Sequence, residues 1–193
     1  MKKLVVAVAL VVFAALSVSA QSAAASSEQS GTEKYFTNVE LVNQDGKPIK
    51  FYADVLAGKV VVINTFFSTC QGACLPMNRN FQKVAERLGD RVGKDVFLVS
   101  ITVDPEMDTS ATLKKYADKL KAPAGWMFLT GSRQNVDFVL TKLGQYVADK
   151  NDHKTIMIIG NVRTGLWKKA FGLASVDDLV KVVESVLNDK PAG

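Results

Sequence analysis

Two cysteines, Cys70 and Cys74, and a single histidine, His153, are the residues of this chain whose types and spacing could do chemistry. The cysteines lie in Phe67-Ser68-Thr69-Cys70-Gln71-Gly72-Ala73-Cys74, where an apolar run ends and a helical pattern begins. Strand ends are where sites collect in α/β proteins. A helix N-terminus there favours the thiolate, so a thiol of lowered pKa is expected. Three intervening residues set the sulfurs about one helical turn apart, within disulfide reach after a small adjustment. A purely structural disulfide is one reading, but closing so short a loop stabilises little. His153 follows Lys150-Asn151-Asp152 and precedes the apolar run Ile156 to Ile159. A lone loop histidine is often only a solvated side chain. Taken with the cysteines, it completes a soft set of two thiolates and an imidazole. Cu(I) accepts three such donors, whereas structural zinc asks for a fourth ligand and iron–sulfur clusters for more thiolates. Met77 and Met107 could add weak thioether ligation, although Met77 falls at helical spacing and reads as core. At this level a metal site, a redox dithiol and a structural disulfide all remain open.

The elements that must position these residues follow from hydrophobic periodicity. Val39 to Val42 and Ile49 to Phe51, joined at Asp45-Gly46, predict an opening hairpin. Val60 to Phe67 (VVVINTFF) and Val96 to Val103 (VFLVSITV) read as strands buried on both faces. Helices are expected over Met77 to Leu88, near Ser110 to Leu120, and over Val136 to Tyr146, with a short strand at Trp126 to Leu129. Ile156 to Ile159 and Leu166 to Phe171 form a second hairpin around Arg163-Thr164-Gly165, and Ser175 caps the last helix. This order predicts an α/β thioredoxin-like sandwich with an added N-terminal β-hairpin and a C-terminal β-hairpin plus helix. The strand that His153 introduces is expected beside the cysteine-bearing strand. Thioredoxin-type oxidoreductases carry a proline at that place, and none of the five prolines here lies near it.

The N-terminus is of a different kind. Met1-Lys2-Lys3 is basic, Leu4 to Leu16 is almost unbroken apolar sequence, and Val18-Ser19-Ala20 is a small-residue ending. That layout predicts a signal peptide over residues 1–20, with an uncleaved membrane anchor as the alternative. Residues 21–33, small and polar, are expected to be a flexible linker, and 34–193 one folded domain. Export, to the periplasm or the outer face of the inner membrane, would let a Cys70–Cys74 disulfide persist. The net charge of +5 over 193 residues falls to +3 without Lys2 and Lys3, and the basic residues are mixed with acids. No nucleic-acid-binding face is expected. An apolar fraction of 48% excludes a disordered chain, and two cysteines exclude a disulfide-dense scaffold.

Four segments, taken in order, resemble the Sco/SenC family of exported copper-binding proteins. They are Phe66 to Met77 with its cysteine pair, Val103-Asp104-Pro105-Glu106-Met107-Asp108-Thr109, Asp152-His153, and Ile158 to Gly165. The resemblance implies a thioredoxin fold, copper bound by Cys70, Cys74 and His153, and service to the copper centre of cytochrome c oxidase; Cu(I) is the expected state, and binding of Cu(II) is left open. Two departures stand out: Gln71 and Leu75 occupy the positions where the family usually has proline after each cysteine, and the N-terminus looks more cleavable than a tether. The function expected is a copper metallochaperone, a carrier rather than a turnover catalyst. It would pass copper to an oxidase subunit or another exported copper protein and draw on a thiol reductant. The alternative is a thiol–disulfide oxidoreductase acting on the acceptor's cysteines through Cys70 and Cys74. Peroxide reduction is weaker still, because the usual proline–threonine approach to Cys70 is missing. Asp104 to Thr109 resembles an acidic loop near the family's metal site, but helix capping by these residues is the favoured reading.

Overall fold

The computed structural model describes residues 31–190. In chain order the elements are β1 (Glu40–Asn43), β2 (Pro48–Lys50), a wide helical turn (Phe51–Leu56), β3 (Val60–Phe66), α1 (Cys74–Leu88), β4 (Val96–Thr102), α2 (Ser110–Lys119), β5 (Trp126–Thr130), α3 (Arg133–Lys142), a short turn (Lys150–Asp152), β6 (Ile156–Asn161), β7 (Leu166–Phe171) and α4 (Val176–Leu187). One sheet of seven strands runs β2-β1-β5-β4-β3-β6-β7. Strands β3, β4 and β5 are mutually parallel, while β6 runs antiparallel to β3 and β7 antiparallel to β6. This mixed sheet is the expected thioredoxin-like sandwich, with the β1–β2 hairpin added at one edge and the β6–β7 hairpin plus α4 at the other.

Each element follows from a local cause. The β1–β2 turn closes at Gly46, whose φ of +75° disfavours a side chain, and the Asn43 carboxamide accepts from the Asp45 and Lys47 amides. All seven residues of β3 are buried, as a central strand covered on both faces requires. The successive β3→β4→β5 crossovers advance in one direction across the sheet, so right-handed connections place α1 and α2 on the same face. Two-residue alternation then assigns the layers. Asn64, Phe66, Ser100, Trp126 and Phe128 face α1 and α2, with Phe81 against Trp126 and Tyr116 stacked on Phe66. The opposite face is covered by Phe36, Phe51 and Trp167, whose indole fills the space above Gly160.

Among the boundaries that differ from expectation, three matter most. α1 begins at Cys74, three residues before Met77, so Cys74 is itself helical while Cys70 stays in the preceding loop. The helix expected to run to Tyr146 ends at Lys142, where Gly144 takes a φ of +66° and turns the chain. Residues 31–33, expected in the linker, belong to a helical turn over 31–36, anchored by buried Phe36 and by Tyr35, whose hydroxyl donates to the Lys142 carbonyl. The signal peptide and the rest of the linker lie outside the described residues. No helix among the described residues is long and apolar enough to cross a membrane.

A buried polar chain ties α1 to the sheet. The Trp126 indole N–H donates to Ser100 (2.9 Å), Ser100 to the Asn64 carbonyl oxygen (2.6 Å), Asn64 to Asn78 (2.6 Å), and Asn78 to the Tyr116 hydroxyl (2.9 Å). Asn78 is the only member on α1. Replacing it by leucine, Asn78→Leu, keeps the volume but strips partners from the buried Asn64 amide and Tyr116 hydroxyl. The expected cost is about 1–3 kcal/mol of unfolding free energy, measured by urea denaturation. An unchanged midpoint would refute the role given to this chain.

Candidate metal centre

The site forms where the carboxyl end of β3 meets α1. Phe67 is buried, and its carbonyl accepts from the Cys70 amide at 3.2 Å, which turns the chain out of the sheet. Asp108 fixes the next residue. Its buried carboxylate accepts from the Ser68 amide (3.0 Å), the Ser68 hydroxyl and the Thr102 hydroxyl (2.5 Å). One carboxylate thus ties the cysteine loop to the end of β4. Cys74 then opens α1 with its side chain buried, while Cys70 stays half-exposed. Both are free thiols, so the structure shows the dithiol form of the pair.

His153 arrives from far along the chain. Antiparallel pairing of β6 with β3 sets Met157 opposite Asn64 and Ile158 opposite Ile63, so the segment before β6 emerges beside the cysteine loop. The turn ahead of His153 is pinned by Asp149, whose carboxylate accepts from the Asn151 amide at 2.9 Å. His153 Nδ1 lies 3.0 Å from the Lys150 carbonyl and Nε2 lies 2.8 Å from Cys74 Sγ. A carbonyl can only accept, so Nδ1 carries the proton; in the neutral ring Nε2 is then bare and receives the Cys74 S–H. Phe67 meets the imidazole edge to face at 5.4 Å. The donor atoms of Cys70, Cys74 and His153 all lie within 4.8 Å of one another, close enough to hold one metal ion. All three residues singled out in the sequence are therefore brought together.

Burial decides the electrostatics. It pulls the His153 pKa below its ordinary value, against the smaller opposite effect of the Lys150 carbonyl. The ring is therefore neutral at pH 7, the form that ligates metals. Burial also pushes the Cys74 thiol up, and its hydrogen bond with Cys70 adds to the shift. The expectation of a helix-lowered thiol is corrected for Cys74: loss of hydration outweighs the helix terminus. A soft metal entering here would displace the Cys74 proton and leave the imidazole ready to bind.

Within the acidic loop the expected capping holds at Thr109 and not at the two aspartates. Thr109, not an aspartate, caps α2 by accepting from the Thr112 amide. Asp108 holds the cysteine loop, and buried Asp104 accepts from the Lys150 ammonium at 2.6 Å. The capping reading fails for both acids because their carboxylates turn back toward the sheet ends. Met77 is fully buried, with its sulfur packed where a Gly172 Cβ would stand, and Met107 is exposed on the surface. Sequence reasoning missed Lys150 altogether, since a single lysine in a polar loop carries no distinguishing signal.

Comparison with known proteins gives the same outline. A family model described as SCO1/SenC matches residues 27–183. The SCO1 protein homolog of Bacillus subtilis (strain 168) is 34% identical over 94 residues, 48% of this chain and 47% of that protein. The chain spans about half the length of the curated relatives it matches. Among solved structures, BsSco, described as a member of the Sco family of cytochrome c oxidase assembly proteins in which a disulfide switch was identified, aligns with a TM-score of 0.64 and 27% identity, covering 78% of this chain and 92% of that one. Arabidopsis thaliana ScoI, solved with copper bound, aligns with a TM-score of 0.63 and 24% identity over 76% of this chain and 94% of its own, a likeness of fold.

The hold of Asp108 on Ser68 is open to direct test. Asp108→Asn replaces one acceptor oxygen by a donor facing existing donors. Hydrogen bonds to a charged group contribute about 1.5–3 kcal/mol, and a loss of that size is expected in urea unfolding of the dithiol protein. Faster alkylation of Cys70 in the native state should accompany it. A variant with wild-type stability and wild-type alkylation would mean that Asp108 does not hold the loop.

Proposed function

The chain belongs to the SCO1/SenC family, and on that premise we propose that it is an exported copper carrier, loading Cu(I) at Cys70, Cys74 and His153 and passing it to a copper-accepting oxidase subunit or another exported copper protein. The observation that carries this reading is the convergence of two thiols and a neutral imidazole within 4.8 Å. That donor set is soft and short of four protein ligands, which suits Cu(I) and disfavours a closed structural zinc site. Half-exposed Cys70 offers an acceptor the first ligand to exchange, while buried Cys74 and His153 keep hold of the ion. Copper is cargo in this scheme. Cu(II) would lean more on the imidazole nitrogen than Cu(I) does. The copper-bound ScoI of Arabidopsis thaliana, which shares the fold, and the oxidase-assembly description of BsSco support the choice of metal and acceptor.

One observation favours a second reading, a thiol–disulfide oxidoreductase acting on the acceptor's cysteines. The cysteines are free, adjacent and unequal in exposure, as an attacking and a resolving thiol would be. Here the dithiol would pass two electrons and two protons to a partner disulfide, closing Cys70–Cys74 as it did so.

Titration of the dithiol protein with Cu(I) against a competing chelator should give one tight copper per chain. That binding is expected to vanish in the Cys70→Ser, Cys74→Ser double variant and in the oxidised protein. Copper held by either with undiminished affinity would move the ligands elsewhere.

His153→Ala separates the two readings. Removing the imidazole leaves two thiols, so exchange with a small disulfide reagent should change little. Cu(II) binding and delivery to an acceptor should be lost. Intact delivery with collapsed exchange would reverse the ranking and make His153 the activating base of a redox enzyme.

A further inference from the structure

The proposal rests on the copper reading above and concerns residues that the copper ligands do not include. Lys150 reaches over the ring of Phe67, with Nζ 5.2 Å from its centroid, to meet Asp104 at 2.6 Å. Asp104 sits just beyond the end of β4 with its side chain 8% exposed. Its amide donates to the Thr102 hydroxyl oxygen at 2.9 Å, and the Arg133 guanidinium lies 3.9 Å from the carboxylate's other oxygen. Arg133 is itself engaged by Glu106 and by the Val103 carbonyl at 3.0 Å. The carboxylate is therefore a fixed post, and the lysine is the movable partner.

The same lysine presents its main-chain carbonyl to His153. That oxygen takes the Nδ1 proton at 3.0 Å and the His153 amide at 3.3 Å. One residue thus grips the end of β4 with its side chain and the imidazole with its backbone. Phe67, between the ammonium and the imidazole edge, keeps both in register. We infer that the Asp104–Lys150 ion pair is a positioning device for His153: it holds the Lys150 carbonyl where Nδ1 must carry the proton, and so keeps Nε2 bare and aimed at Cys74. Histidine ligands elsewhere rely on such outer partners to fix tautomer and ring orientation, and losing one typically costs roughly 10–100-fold in metal affinity. Lys150 and Asp104 are positioning residues; neither touches the ion.

The test uses the fact that the chain has one histidine. Long-range ¹H–¹⁵N correlation of the imidazole in the metal-free dithiol protein reports the tautomer without assignment. The wild type should show the Nδ1–H form. The double variant Asp104→Asn, Lys150→Met removes the pair without leaving a buried unpaired carboxylate. It should fold, show mixed tautomers or the Nε2–H form, and lose roughly 10–100-fold in Cu(II) affinity against a chelator. Lys150→Arg keeps the charge and should retain both the Nδ1–H form and wild-type affinity. A folded double variant with an unchanged tautomer overturns the proposal, as does loss of the tautomer in Lys150→Arg, which would assign the effect to packing on Phe67. If the wild type binds no copper while the tautomer still shifts in the double variant, the copper reading falls and the positioning role stands.

Discussion

Everything at the site depends on the antiparallel pairing of β6 with β3. Cys74 and His153 are 79 residues apart, and this ladder sets the end of one beside the end of the other. Its register is fixed from both sides. Asn64 must face α1 to reach Asn78, and Gly160 must face outward to leave room for the Trp167 indole. A slip of one residue in β6 would turn all its side chains to the other face and take Gly160 from beneath the Trp167 indole. The strand that carries the histidine is thus held by packing well away from the chemistry, which keeps the ligands in place without rigid loops.

Once gathered, Cys74 and His153 are kept neutral by burial, and the charges stand one layer back. Asp108 braces the cysteine loop from the β4 end, and Asp104 braces the histidine turn through Lys150. Both acids come from the one segment, residues 103–109, between β4 and α2, so a single loop steadies both halves of the site. A carboxylate placed among the ligands would have invited harder cations; set behind them it aligns hydrogen-bond donors and leaves a soft site. The raised Cys74 pKa and the neutral imidazole share one leading cause in this arrangement, burial, and the thiol faces Nε2 at 2.8 Å.

Much of this was legible in the sequence, and the exceptions have physical causes. The strands β3, β4 and β6 announced themselves as apolar runs because burial on both faces allows little else. Ser175 was readable as a cap because its hydroxyl accepts from the Asp178 amide, a local interaction of three residues. The three candidate ligands were readable because the chain holds so few residues of their types. The thiol of Cys74 was misjudged because helix position is written in the sequence and depth of burial is not. Asp104 and Asp108 were weighed as caps beside Thr109 because an acid before a helix ordinarily is one; Thr109 is the cap, and the acids' partners, Lys150 and Ser68, are long-range. Lys142 ended α3 early because Gly144 supplies a left-handed turn that the apolar pattern through Tyr146 concealed.

The two missing prolines find their place in the same frame. Proline after a cysteine stiffens the loop from within by fixing φ. Here Gln71 and Gly72 leave the segment between the cysteines free of that restraint, and a side chain at Gly72 would meet nothing within 4 Å. The restraint comes instead from outside, and it is unequal. Ser68 is tied to Asp108, and Cys74 is locked in the first turn of α1 beneath His153, whereas Cys70 sits half-exposed between these anchors, its amide bonded to the Phe67 carbonyl and its sulfur to Cys74. Such a loop holds one thiol still and lets the other move. For the carrier proposed above, whose ligands would have to let go in sequence, that asymmetry would be the useful property: the ion would stay on Cys74 and His153 while the exposed sulfur changed partners.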